Sequence, residues 1–587
     1  MKKQLYYMKT GVSNMGKKGR LIASTLVVVM MVGLLAACSK GEKEGNGAGT
    51  GNGGNAANED KLNIVNGKIE PAVTITMVRG EDPTAKFKNG ETYADNVHTR
   101  WAKDTLGVNM ETLWSSPTAD SSYDTKLKLM LSSGDKLPDV FVSTQPNTTN
   151  MFLESGKVLD VGEAFEKYAS ETYKAAMTEV PEAWQPFMKD GKKYALPVLR
   201  PTMGTQSPLW IRQDWLDKLG LKAPTTVEEL EAVMDAFVNK DPDGNGKKDT
   251  IALDFGMKDA LIGYPAGDVS WIFGLFGAIP ERWYPGEDGK LQYGSVQPGI
   301  KNTLVKLREW KEKGYITEDI ALHDFNKVAE NVATGKVGML GGENWVMVYP
   351  GSLMLASNPT AMYAPYPLPK GVDGKNMRTI ASSYTSAILI SKDISDEALQ
   401  AFFHYQNALY DSYNTEDPFL FKAFQEGYDY TILDGKAVMD EAQIPGGKVA
   451  TMKYTISGSQ TVYSSKLLES TLKRARGEEL SNKDLAAFAT SAIFSTDSNP
   501  LERITDQATL VIAAQTDADV REYFQGPSTT TMSSRNELLK KMQMDTFTEI
   551  IYGKKTVDAF DAFVEKWKSS GGDDITKEVN DWYDSVK

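Results

Sequence analysis

Side-chain oxygens recur at alternate positions in the run Asp241-Pro242-Asp243-Gly244-Asn245-Gly246-Lys247-Lys248-Asp249. Asp241, Asp243, Asn245 and Asp249 stand at the first, third, fifth and ninth positions. Lys247 can offer its backbone carbonyl at the seventh, and Gly246 permits the sharp turn at the sixth, which is the oxygen pattern of a Ca2+ loop. The bidentate Glu expected at the twelfth position is Ala252, so a further carboxylate must come from elsewhere, Asp254 being a candidate, or water must complete the shell. The competing reading is a solvated Asp/Asn/Gly turn behind a helix. A bound ion here would be structural, because enzymatic chemistry has little else to stand on. No Gly-Lys pair is followed by Ser or Thr, neither HExxH nor GxSxG occurs, and His98, His323 and His404 stand isolated. The chain is therefore read as a non-enzyme.

Cys38 is the single cysteine of 587 residues, which excludes an internal disulfide framework and a Cys-based zinc site. Ahead of it come Lys2, Lys3, Lys9, Lys17, Lys18 and Arg20 with no acid, then the uncharged apolar run Leu21 to Ala37, a secretory signal pattern too short to span a bilayer comfortably. Leu35-Ala36-Ala37-Cys38 resembles the lipobox of bacterial lipoproteins. That likeness implies a signal peptide over 1–37, lipid on the Cys38 thiol and attachment to the outer face of the cell membrane. Residues 38–60 hold no large apolar side chain and read as a flexible Gly/Asn-rich tether. Removing residues 1–37 takes six positive charges and no negative one, so the formal charge of -13 becomes -19. So acidic a body lacks the basic footprint of a nucleic-acid binder.

The remaining chain must position these groups, and its pattern is α/β. Ala72 to Val78 and Asp139 to Val142 read as strands, and Tyr93 to Leu106 and Tyr123 to Leu131 as helices between and beside them, which predicts a mainly parallel sheet covered by helices. A second αβ section opens with strand Leu209 to Arg212 and helix Trp215 to Leu219, followed by a Thr-capped, acid-led helix start at Pro224 to Glu229. Gly335 to Leu340 and Ala387 to Ile390 read as buried strands and Glu397 to Leu409 as a helix. The tail Asn536 to Lys587 is helical with breaks at Gly553 and Gly571-Gly572.

Five segments, in order, carry a more specific likeness: Pro208 to Leu230, Ala333 to Trp345, Tyr366 to Lys375, Ser382 to Tyr405 and Phe547 to Tyr583. Together they resemble the extracellular solute-binding proteins of carbohydrate ABC importers, in the long Gram-positive lipoprotein subgroup related to alginate-oligosaccharide binders. The resemblance implies a two-lobed α/β fold with a ligand cleft between the lobes and a helical C-terminal region. It places 61–200 plus about 380–430 in one lobe and 201–379 plus about 431–587 in the other, with crossings near Tyr194 to Pro201 and Thr379 to Thr385. It further implies an oligosaccharide ligand, permease subunits as partners, a monomeric receptor, and calcium in the loop at 241–249. A polysaccharide-degrading enzyme and a signalling receptor are the alternative readings.

Sugars are held by aromatic faces and planar polar side chains. On that basis the ligand-binding candidates are Trp345, Trp271, Trp210, Arg212, Tyr384, Asp82, Gln145 and Asn344, at strand ends, next to a supposed crossing or, for Trp271, after the loop Gly267-Asp268-Val269-Ser270. Core packing is the alternative for each ring. Arg79, Arg200 and Arg212 could serve an anionic sugar.

Overall fold

The computed structural model describes residues 62–586 apart from 202, 259, 415–424, 435, 439–440, 460, 482–483 and 485–499. Cys38, the leader and the tether lie outside the described residues.

Val73–Glu81 alternates β-branched and long apolar residues, burying Ile75 and Met77 on one face, and it pairs in parallel with Val108–Pro117 and Val140–Ser143. The later strand Tyr384–Ile390 joins the same sheet antiparallel, between Val140–Ser143 and Leu196–Leu199. A second sheet has the order Ile251–Leu253, Val337–Gly341, Leu209–Arg212, Tyr363–Tyr366, with only the first pair parallel. Both sheets are therefore mixed, where the βα alternation predicted mainly parallel ones. The cause is topological: the chain leaves the first sheet at Leu199, enters the second at Leu209, and returns at Tyr384 running the other way.

Helix starts follow the local chemistry. The Thr226 hydroxyl accepts from the Glu229 amide at 3.3 Å to cap Val227–Asn239, and that helix buries Leu230, Val233, Met234 and Phe237 against the second sheet. Near the C-terminus, Thr530–Ile551, Ala559–Trp567 and Asp573–Val586 place Phe547, Ile550, Phe563 and Trp567 in the same core as Leu209 and Ile211. Gly572 lies where a Cβ would come 2.2 Å from the Trp567 ring, so only glycine lets the last two helices turn that closely. The segment from about 431 was expected with the second lobe. Within it, Ile456 and Val462 share the first sheet's core, and the buried Arg79 guanidinium donates to the carbonyls of Tyr454 (2.8 Å) and Thr455 (2.9 Å).

His98 illustrates what that core costs in acid. It is fully buried and bonded through Nε2 to the Tyr405 hydroxyl at 2.8 Å, and burial, with the Arg79 charge adding to it, holds its imidazole down at about 3. The folded pKa is depressed below the ordinary 6.5, so the neutral ring's stabilisation is complete above pH 6.5 and is lost as pH falls toward 3. His98→Gln is expected to flatten the acid side of the stability curve by about 1.4 kcal/mol per pH unit relative to the parent. Urea unfolding across that window checks it, and parallel slopes for the two proteins would refute it.

Candidate functional site

Two chain connections between the sheets, 201–206 and 380–384, meet the stretch 516–526 around a cavity of about 590 Å3. This is where open α/β architectures hold ligands, between halves and beyond strand ends. The floor is tied by Arg378–Thr379 pairing in parallel with Asp519–Val520. Arg378 has no exposed surface. It donates to Asp519 Oδ1 at 2.7 Å and to the carbonyls of Ser207 (3.2 Å), Ile512 (3.1 Å) and Gln515 (3.1 Å). Gln206 Nε2 donates to the other Asp519 oxygen at 3.1 Å.

The wall mixes rings, charges and amides. Tyr384 and Phe524 supply aromatic surface, with Tyr384 held edge-on against Phe187 at 5.1 Å. Arg282 Nε donates to Thr379 Oγ1 at 2.9 Å and faces Glu522 at 3.9 Å. Burial pushes the Glu522 carboxyl up to about 7, even though Arg282 and the backbone N–H groups of Phe524 and Trp283 pull the other way. Arg521 pairs with Glu182 at 2.5 Å, joining the 516–526 stretch to the segment Pro181–Phe187 beside the first sheet. Among the described residues, Ser383 Oγ and Gln525 Oε1 are buried polar atoms without a hydrogen-bond partner, and both residues line the cavity. Such atoms cost about 1–3 kcal/mol each when left unmet, so a polar guest has something to gain here.

The sequence candidates divide into four groups. Tyr384 is in the cavity wall. Asn344 and Trp345 stand beside the 201–206 connection: the Asn344 amide donates to Gly204 O at 3.2 Å, and half-buried Trp345 donates through Nε1 to Glu343 Oε2 at 2.7 Å. Gln145 is exposed and precedes Pro146 of the lining, while Asp82 is taken by Lys453 at 2.8 Å and by the Thr84 amide at 2.7 Å. Trp271, Trp210 and Arg212 are corrected. Trp271 and Trp210 have no exposed surface and sit in hydrophobic cores, so neither presents a face to a sugar. Arg212, 1% exposed, is committed to Asp214 through two nitrogens (2.7 and 2.5 Å), to Gly335 O at 2.7 Å and to the Trp215 ring.

Sequence reasoning missed Arg282, Arg521, Glu522 and Phe524. The available signal was compositional: Glu281-Arg282-Trp283-Tyr284 and Arg521-Glu522-Tyr523-Phe524 are the same charged and aromatic mixture outside any helical period.

The 241–249 loop closes on itself. Asn245 Nδ2 donates to Asp243 at 2.7 Å and Asp249 at 3.0 Å, the amides of Asn245 and Gly246 donate to Asp241 at 3.1 Å, and Gly246 has φ 72°. Lys336 pairs with Asp249 at 2.8 Å, and Lys218 donates to the carbonyls of Asp241 and Pro242. Asp254 cannot complete a shell: it is fully buried, holding His323 Nδ1 at 2.7 Å and Asn331 Nδ2 at 2.8 Å. Burial would lower the His323 imidazole, but the Asp254 and Asp319 carboxylates outweigh it and hold it above its usual range. Among the described residues no group of three or more His, Cys, Asp or Glu side chains is arranged to hold a metal. The donors are all oxygens and suit a hard cation in kind.

Residues 84–407, more than half of the chain, match the bacterial extracellular solute-binding protein family. The chain belongs to that family. Its members are extracellular solute-binding proteins rather than enzymes. The solute-binding chain is 27% identical over 317 residues to the fructooligosaccharide ABC transporter substrate-binding protein FusA of Streptococcus pneumoniae, covering 52% of this chain and 54% of FusA, about half its length. It is 25% identical over 403 residues to the polygalacturonan/rhamnogalacturonan-binding protein YtcQ of Bacillus subtilis, covering 68% and 71%. Among solved structures, a human-milk-oligosaccharide (HMO) binding, ABC-transporter-associated protein of Bifidobacterium longum infantis shares the fold at a TM-score of 0.62 and 18% identity over 88% of this chain and 99% of that one. FusA with kestose does so at 0.55 and 19% over 87% and 99%, and an EF-hand mutant of FusA at 0.54 and 18% over the same shares. Among the described residues of the solute-binding chain, no helix is long and apolar enough to cross a membrane.

Proposed function

We propose that this solute-binding protein captures an oligosaccharide in the cavity between its two sheets and hands it to the membrane subunits of an ABC importer. The observation that carries the reading is the cavity wall itself, where Tyr384 and Phe524 stand beside Arg282, Glu522 and the unmet Ser383 and Gln525 oxygens. Rings cover the C–H faces of a sugar, and the charged and amide groups satisfy its hydroxyls. FusA and YtcQ, by their names, bind oligo- and polysaccharides, and a cavity bordered by the connections between the two sheets supports the same reading here. Closure of the lobes around the ligand is the output, selected by its differential affinity for the closed form. The lobes follow the two sheets, with 61–200 and about 380–463 on one side. Asn344, Trp345 and Gln145 complete the mouth, and Cys38 carries the lipid that holds a monomeric receptor outside the cell.

Tyr384→Ala and Arg282→Ala are each expected to weaken oligosaccharide binding by roughly 10- to 100-fold, as removal of an aromatic or Arg anchor does in a desolvated site. Calorimetric titration with fructo- and galacturono-oligosaccharides checks this; unchanged affinity in both variants would refute the assignment of the cleft.

Calcium belongs to the same proposal, in a structural role at 241–249. Asp241, Asp243, Asn245 and Asp249 would supply side-chain oxygens and Lys247 a carbonyl, and FusA is described with an EF-hand. Chelation is expected to lower the thermal midpoint of the protein, with Asp243→Ala showing the lower midpoint already and no further response to chelator. A parent protein indifferent to both calcium and chelator would contradict it.

A further inference from the structure

A second cavity of about 440 Å3 lies between the hairpin Trp283–Pro285/Leu291–Tyr293 and the three C-terminal helices. Trp283, Tyr293, Phe524 and Trp567 line it. Tyr293 stacks on Trp567 at 5.2 Å with rings 9° apart, and Trp283 meets Tyr293 at 5.1 Å, so these three rings form one packed cluster bordering the cavity, with Trp283 and Trp567 largely buried. The rest of the lining mixes the apolar Ile262, Met532, Leu539 and Ile575 with the polar Glu281, Asn536, Glu537 and Lys540. Glu281 adopts φ 56°, a left-handed conformation that a non-glycine residue takes only under constraint, and it is among the lining residues. One of its oxygens accepts from Gln543 Nε2 and the other from the Leu261 amide, both at 3.0 Å, which leaves carboxylate lone pairs to spare. Asn536 and Lys540, both exposed on helix Thr530–Ile551, stand among the lining residues and give the cavity a polar mouth.

We propose that this second cavity binds a mono- or disaccharide. Aromatic rings that share a cavity with two carboxyl groups, an amide and an ammonium suit a pyranose, which has an apolar C–H face and a hydroxyl edge. The volume falls in the range of small-molecule pockets, about 300–1,000 Å3. A wholly apolar guest would cover the Glu281 carboxyl without meeting it, which is costly. An organic cation would suit the rings and the carboxylate. The mouth sets Lys540 beside Glu537, so its charges nearly cancel and do not select a cation. The site is separate from the cleft yet shares its partition: Phe524 borders both cavities, and Glu522 of the cleft wall accepts from the Trp283 amide at 3.2 Å. The proposal does not rest on the cleft reading.

The test is saturation-transfer NMR on the mature chain with glucose, galactose, N-acetylglucosamine and sucrose as probes. Three proteins are compared: the parent, the mouth variant Asn536→Trp/Lys540→Ala, whose changes fall on exposed helix positions, and the cleft variant Tyr384→Ala. At least one probe is expected to bind the parent, to lose about tenfold in affinity in the mouth variant, and to keep its affinity in the cleft variant. No signal from any probe, or a signal lost in Tyr384→Ala and retained in the mouth variant, would overturn the proposal. Failure of the cleft reading shows separately, as oligosaccharide affinity that Tyr384→Ala leaves unchanged.

Discussion

Arg378→Met is expected to lower the stability of the folded protein by about 3–5 kcal/mol, the cost of removing one partner from a buried ion pair. Arg378 has no exposed surface, and its guanidinium joins Asp519 and the carbonyls of Ser207, Ile512 and Gln515 into one knot under the cleft. Methionine fills much of the volume but meets none of these acceptors. The loss should also depend on pH. Burial already pushes the Asp519 carboxyl up, and Arg378 is the main influence pulling it back. Without that charge Asp519 takes a proton more readily, so the variant should lose least in acid and most at higher pH, where Asp519 would have to be buried as an unpaired anion. Urea unfolding at two pH values measures both effects. A loss under about 1 kcal/mol, with no pH dependence, would mean that the knot is not what holds the connections together.

The second large effect concerns a residue that sequence reasoning assigned to the ligand. Trp271→Ala should cost about 3–5 kcal/mol, as large-to-small changes of buried aromatic residues do. Its ring has no exposed surface and shares a core with Leu209, Ile211 and Trp310, and Gly341 lies so close that a Cβ there would meet Trp271 Nε1 at 2.5 Å. The milder Trp271→Phe should keep the fold at a smaller cost. Oligosaccharide affinity, measured on the folded protein, should stay within about twofold of the parent, well below the loss expected at a contact residue. If Trp271→Phe instead weakens binding more than it weakens the fold, the ring does reach the sugar.

The contrast between Trp271 and Tyr384 shows how far the sequence could be read. Strands such as Val73–Glu81 and Leu209–Arg212 were legible because alternation and apolar runs are local, and the cap at Thr226 was legible because its chemistry lies within four residues. The direction of Tyr384–Ile390 was not, since it depends on where the chain returns after building another sheet. The same limit governs the site. Trp271 and Trp210 follow loops and precede apolar runs just as a cleft ring would, and only the packing of Gly341 and Ala266 around them decides that they are core. Trp283 and Glu522 lie 239 positions apart in sequence, and Arg282 and Glu522 come together beside the pairing of Arg378–Thr379 with Asp519–Val520. The loop at 241–249 was legible as a set of oxygens, but the commitment of Asp254 to His323 was invisible, because that bond spans 69 positions.

The most direct test of the central claim is a thermal-shift screen of residues 61–587 against fructo-, galacturono- and milk-type oligosaccharides, with recovery and sizing of the sugar afterwards. A ligand that binds only the folded state must raise the midpoint by mass action. The account predicts a saturable rise with at least one oligosaccharide, which is recovered unshortened. Recovery of shortened sugar, or no rise with any member of the panel, would contradict it.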